Sequence, residues 1–126
     1  MNAKLPSREM DTLPTGTVTF LFTDIEGSAP LAQQYPDAML ALLARHHAIL
    51  RQAIEARSGH VFRIVGDAFC AAFHTASDAL TAALDAQRGL QHEAWGPASV
   101  KVRMGLHTGA ARRAPPETGP GIRIAV

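Results

Sequence analysis

Across residues 17–23, Val18, Phe20 and Phe22 alternate with Thr19, Leu21 and Thr23, so that both faces of the run are β-branched, aromatic or apolar. This predicts a central, largely buried strand. The run stops at Asp24-Ile25-Glu26-Gly27-Ser28, and the period then changes. Residues 29–34 read as a short helical segment. From residue 37 to 57, Met39/Leu40, Leu42/Leu43, Ile49/Leu50 and Ala53/Ile54 recur at helical spacing, and Ser58-Gly59 supplies a stop. Two short β-prone runs, HVFRIV and AFCAAF, flank Gly66-Asp67 and predict a tight hairpin. Thr75 and Asp78 form a Thr-x-x-Asp capping pattern, after which Leu80, Ala83/Leu84, Gln87 and Leu90 carry a helix to about His92. In SVKVRMGLH, Val100, Val102, Met104 and Leu106 alternate as a last strand.

The order β-α-β-β-α-β predicts an α+β fold, the ferredoxin-like four-stranded antiparallel sheet with helices on one face. In that topology the first and second strands run in the same direction with the third between them. The end of strand one and the turn joining strands two and three therefore lie at one edge, which brings Asp24 and Asp67 together. Residues 1–15 read as a loose leader, 16–109 as the domain, and 110–126, rich in proline and glycine, as an irregular tail.

Composition narrows the function classes. Twelve basic against eleven acidic side chains leave a net charge of +1, which gives no electrostatic footing for nucleic acid or an anionic membrane surface. Any phosphate ligand has to be held by local contacts. No window approaches the roughly 18 apolar residues that span a bilayer. Cys70 is the only cysteine, so an internal disulfide and a cysteine-based zinc site are excluded, and a cytoplasmic location is expected. His46 and His47 are adjacent, hence about 100° apart on a helix, a poor ligand pair expected on a solvated or boundary face. His107 reads as structural and Trp95 as a helix cap.

Two carboxylates meeting at one sheet edge suit divalent ions. Mg²⁺ prefers hard oxygens, binding through one or two carboxylates plus substrate phosphates. Main-chain N–H groups of the turn after Asp24 lead into a helix start, a cradle for phosphate. Singly, each acid is more readily a turn or N-cap residue. Together at one edge, the metal and turn readings stand about level.

GTVTFLFTDIEGS, RIVGDAFCAAF and VRMGLHTG, in this order and spacing, resemble the catalytic domain of the class III adenylate and guanylate cyclases over about residues 16–109. The resemblance implies that Asp24 and Asp67 hold two ions, Mg²⁺ or Mn²⁺, with the Ile25 carbonyl on one of them. Gly27 and Ser28 would lie against the triphosphate of ATP (or GTP). Arg63 stands where the family commonly has a purine-recognising lysine. The implied reaction converts ATP to cyclic AMP and pyrophosphate for intracellular signalling, in a homodimer or with a second cyclase subunit, since each site is shared between two subunits. A basic residue that some members carry after His-Thr-Gly is replaced by Ala110. The family's Asn-x-x-x-Arg helix motif, which orients ribose and stabilises the transition state, has no counterpart, because no asparagine follows Asn2. The expectation is a partial cyclase domain, weak or inactive alone; the alternative is a non-catalytic nucleotide-binding or dimerisation module.

Overall fold

The protein, seen in a computed structural model, is described over residues 14–113 and 122–125. Its elements are β1 (Gly16–Ile25), α1 (Ser28–Gln34), α2 (Met39–Glu55), β2 (His60–Val65), β3 (Ala68–Phe73), α3 (Ala76–His92), β4 (Val102–Arg113) and β5 (Ile122–Ala125). The sheet order is β2-β3-β1-β4-β5, with every neighbouring pair antiparallel. The first four strands have the expected ferredoxin-like arrangement, and β1 is central. The expected leader lies outside the described residues up to position 13. The expectation of an irregular segment from 110 onward needs correction: β4 runs on to Arg113, and β5 pairs with it from Ala110↔Ala125 to Arg113↔Ile122. The backbone at Ala110–Arg113 finds ladder partners there, which proline and glycine counts do not forecast. Residues 114–121, which hold all the prolines and glycines of that segment, lie outside the described residues.

Strand alternation divides β1 between two environments. Leu21 and Ile25 join Leu42, Leu50 and Ile54 of α2, Phe69 and Phe73 of β3, and Ala79, Ala82, Ala86 and Leu90 of α3 in the main core. Except for Leu90, the face that α3 turns to this core is made of alanines, so its backbone can lie close to the sheet. Gly89 continues this on the side facing α2, where a Cβ would meet the Ile49 side chain at 2.9 Å. On the opposite sheet face Val18 and Phe20 form a second cluster with Ala72 and Ala111, and Phe62 packs on it. Phe20 stacks with Phe22 and His107 and meets Phe62 edge-on, with centroids 6.0 to 6.5 Å apart.

The caps follow the sequence. The Thr75 hydroxyl accepts from the Asp78 N–H at 3.1 Å at the start of α3. Trp95 Nε1 donates to the Leu90 carbonyl at 2.9 Å, closing the other end. Arg45 lies over the Trp95 ring, pairs with Glu93 at 2.7 Å and donates to the Ala94 carbonyl, which ties α2 to the connection between α3 and β4.

His46 departs from expectation. Instead of a solvated or boundary face it occupies the core, fully buried, with its ring edge-on to Phe69 and its Nδ1 3.0 Å from His47 Nδ1. Its Nε2 has no hydrogen-bond partner among the described residues. The helical period that places Leu42, His46, Leu50 and Ala53 on one stripe is the reason: histidine here fills an apolar position.

Two predictions follow from this packing. A Cβ on Gly59 would lie 2.4 Å from the Phe73 ring and 2.7 Å from Ile54 Cγ2. Gly59→Ala should therefore destabilise the fold by about 1–3 kcal/mol, read as a lower urea midpoint with unchanged slope. Burial, and then the neighbouring His47, lower His46 from its ordinary 6.5 to about 4, although Asp67 acts the other way. The unfolded chain thus binds the proton more tightly. The stability linked to this group is present above about pH 6.5 and lost as pH falls toward 4, a span of roughly 3 kcal/mol. Urea unfolding at pH 7 and pH 4.5 should show this loss in the wild-type chain, and His46→Leu should reduce it.

Candidate functional site

The C-terminal end of β1 is where core and surface exchange places. Ile25 is buried in the main core, whereas Asp24, one residue earlier, points to the open sheet face and is partly exposed. The strand is followed by a turn in which the Glu26 N–H donates to the Lys101 carbonyl at 2.8 Å. Gly27 then adopts φ 63°, ψ 42° as the N-cap of α1, a left-handed conformation that glycine takes at little steric cost. No side chain caps α1, and Ser28 is its first residue.

Asp67 comes from the β2–β3 hairpin. Gly66 has φ 61°, the positive value that a tight hairpin turn asks of its first central residue, and Asp67 follows it. The Asp67 carboxylate reaches back across the sheet edge, where its Oδ2 accepts the Ile25 N–H at 3.3 Å. The topology thus sets Asp67 against the peptide that links Asp24 and Ile25, as the strand order requires. Thr23 assists from the helix side, where its hydroxyl accepts from the Phe69 N–H at 3.4 Å.

A residue that the sequence reading passed over completes the edge. Arg103 of β4 is the register partner of Asp24 and binds its carboxylate with both arms of the guanidinium, Nε to Oδ1 at 3.0 Å and Nη2 to Oδ2 at 2.8 Å. These bonds hold the Asp24 carboxyl below its ordinary value. Glu26 and Asp67 also lie within the electrostatic reach of this guanidinium. The alternation of Val102, Met104 and Leu106 does put Arg103 on the opposite face of β4, but only the pairing register identifies Asp24 as its partner.

Beside this pair a cavity of about 320 Å³ opens on the sheet, lined by Phe22, Cys70, Gly105, Asp24 and Arg103 among others. Cys70 and Gly105 are the register partners of Phe22 on its two sides. Gly105 contributes no side chain, and a Cβ there would meet nothing within 4 Å. Arg63 lies opposite Cys70 on β2, exposed and one strand beyond the cavity, so the structure places it beside the lining residues rather than among them. Its charge opposes the burial that pushes the Cys70 thiol up.

The donor set can be tested against divalent ions on its own chemistry. Among the described residues no group of three or more His, Cys, Asp or Glu side chains is placed to enclose a metal. Two carboxylates at one edge, Asp24 paired with Arg103 and Asp67 within the electrostatic reach of that guanidinium, match an ion such as Mg²⁺ that completes its shell with main-chain, water or phosphate oxygens. The residues present fit such an ion in that open form.

A ferredoxin-like sheet with two acids at the shared edge of β1 and the β2–β3 turn defines a class, and comparison with known proteins gives its family. Residues 10–112 match the adenylate and guanylate cyclase catalytic domain. The chain belongs to that family. It is 43% identical over 98 residues to an uncharacterized protein of Mycobacterium tuberculosis, a match covering 76% of this chain and 32% of the relative. It is 35% identical over 97 residues to a receptor-type adenylate cyclase of Trypanosoma congolense, covering 75% and 13% of the two chains. Among solved structures it is similar to adenylate cyclases of Trypanosoma brucei in their monomeric state, with TM-score 0.81, 25% identity, and coverage of 90% of this chain and 64% of that one. A guanylate cyclase domain from Catenaria anguillulae in complex with GTP shares the fold, with TM-score 0.74, 19% identity, and coverage of 89% and 67%. The chain therefore spans about a third or less of these curated relatives, and about two thirds of the solved cyclase chains. Among the described residues no helix is long and apolar enough to cross a membrane.

Proposed function

We propose that these residues form the metal-holding half of a nucleotide cyclase site, acting on ATP (or GTP) to give the cyclic nucleotide and pyrophosphate in cyclic-nucleotide signalling. The observation that carries this reading is the meeting of Asp67 with the Asp24–Ile25 peptide at 3.3 Å, in a chain of the cyclase family. Asp24 and Asp67, with the Ile25 carbonyl, would hold Mg²⁺ or Mn²⁺. When bound, two such ions supply charge neutralisation on the triphosphate and lower the pKa of the ribose 3′-hydroxyl.

The remaining work falls to this chain's own groups. Gly27 and Ser28 start α1 with main-chain N–H groups that no side chain caps, and these favour phosphate oxygens over water. Arg103 places a guanidinium at the mouth of the cavity, and the fork that grips a carboxylate equally suits a phosphate. The cavity beside Phe22 offers an apolar wall that excludes water from one side of a bound nucleotide, with Arg63 at its far border. In the displacement itself the 3′-hydroxyl gives its proton to water, its oxygen bonds to the α-phosphorus, the bond to the bridging oxygen breaks, and pyrophosphate leaves with the electron pair of that bond. Positioning and charge stabilisation dominate such a step.

A shared site of the family's kind supports a dimer, as homodimer or with a second cyclase subunit, but no Asn-x-x-x-Arg sequence occurs in these 126 residues, so only a partner of different sequence would orient ribose and stabilise the transition state. That same feature favours a second reading, a nucleotide-binding or dimerisation module that turns nothing over.

The two readings separate in one set of measurements on the purified chain. ATP with Mn²⁺ should raise the melting temperature, and Asp24→Asn and Asp67→Asn should each abolish that rise. Cyclic AMP formation should be slow and should fall by about 10²-fold or more in either variant. Nucleotide-dependent stabilisation without product favours the binding module. No stabilisation and no product would overturn both readings, and rapid turnover lost in Asp24→Asn would overturn only the expectation of weak activity.

A further inference from the structure

We infer that Arg103 is the resident counter-ion of Asp24 and that a divalent ion enters this site by exchanging with it, so that Arg103 sets the site's metal affinity. The inference rests on the reading of Asp24 and Asp67 as metal-holding residues.

The two carboxylates are held differently. Asp67 accepts a main-chain N–H through Oδ2, and a neutral amide at a carboxylate oxygen is compatible with a cation on the same group. Asp24 has both oxygens engaged by one guanidinium, Oδ1 by Nε and Oδ2 by Nη2. A bidentate arginine and a coordinated Mg²⁺ or Mn²⁺ compete for the same lone pairs. Even where one oxygen was spared, two cations a few ångströms apart would repel each other. Entry of the ion and retention of the fork on Asp24 are therefore alternatives.

Three features make the exchange feasible. The pair is open to water, with side-chain exposures of 43% for Asp24 and 64% for Arg103, so solvent can hydrate both partners as they separate. The guanidinium also lies within reach of Glu26 and Asp67, at the centre of the acidic edge where an arriving cation is drawn. Finally, a released Arg103 side chain has room, because Gly105, the next residue of β4 on the same face, presents no side chain to the cavity. The chain thus carries its own competitor for the metal, and the occupied and unoccupied edges differ by the position of one side chain.

The test is binding of Mn²⁺ alone, read by electron paramagnetic resonance of the free ion, in the wild-type chain, Arg103→Gln, Arg103→Lys and Asp24→Asn. Circular dichroism melts without metal establish that each variant is folded. Arg103→Gln should bind Mn²⁺ about tenfold more tightly than the wild type. Arg103→Lys, which keeps the charge but loses the fork, should fall between them, and Asp24→Asn should lose binding. In the wild type, the Arg103 Nε–H resonance should shift on titration with Mg²⁺ and saturate. Equal affinity in wild type and Arg103→Gln, with loss in Asp24→Asn, would overturn the exchange while leaving the metal reading intact. Weaker binding in Arg103→Gln would likewise overturn it, by making Arg103 a support for the ion. Absence of Mn²⁺ binding from both the wild type and Arg103→Gln would overturn the metal reading and the exchange together.

Discussion

The main-chain ladder that holds β1 between β3 and β4 is the constraint on which the rest depends. Ten register pairs run from Gly16↔Ala111 to Ile25↔Val102 on one side, and Thr19↔Phe73 to Thr23↔Phe69 on the other. Because side chains alternate, a slip of one residue would turn Leu21 and Ile25 out of the core and drive Asp24 into it. The cost of burying that carboxylate makes the register strongly specified. Once it is set, Asp24 must face Arg103, Phe22 must lie between Cys70 and Gly105, and the Ile25 N–H must meet the β2–β3 turn.

The two faces of the sheet serve different ends. On the helix side, Phe69, Phe73, Leu21 and the alanine face of α3 form a dense core whose burial of His46 favours the neutral ring. On the open side, aromatic rings around Phe20 give way toward the β1 terminus to a cavity and then to charge. This gradient runs along a single strand, from Val18 through Phe20 and Phe22 to Asp24. With a net charge of +1 over the whole chain, the electrostatics of the acidic edge are local, and Arg103 is the cation that balances it.

Membership of the cyclase family and the geometry of the edge bear on different questions. The family relation covers most of this chain but only part of its relatives, and it speaks to the class of chemistry. The geometry speaks to how the edge is held when Asp24 faces its own arginine. There Arg103 supplies Asp24 with a cation from within the chain and lies within electrostatic reach of Asp67.

Much of the architecture was legible in the amino-acid order. Period-two and period-3.6 patterns, the Thr75 cap and the Gly66-Asp67 turn are local properties, and local sterics and solvation determine them. From them followed the strand order, and from the strand order the approach of Asp67 to the peptide that follows Asp24. What only the tertiary structure decided were pairings between distant segments: Arg103 on Asp24, His46 beneath Phe69, Arg63 outside the cavity lining, and β5 against the end of β4. Each depends on which residue faces which across a sheet or a helix interface. That choice is made by the summed burial of many side chains at once, and no short stretch of sequence carries it.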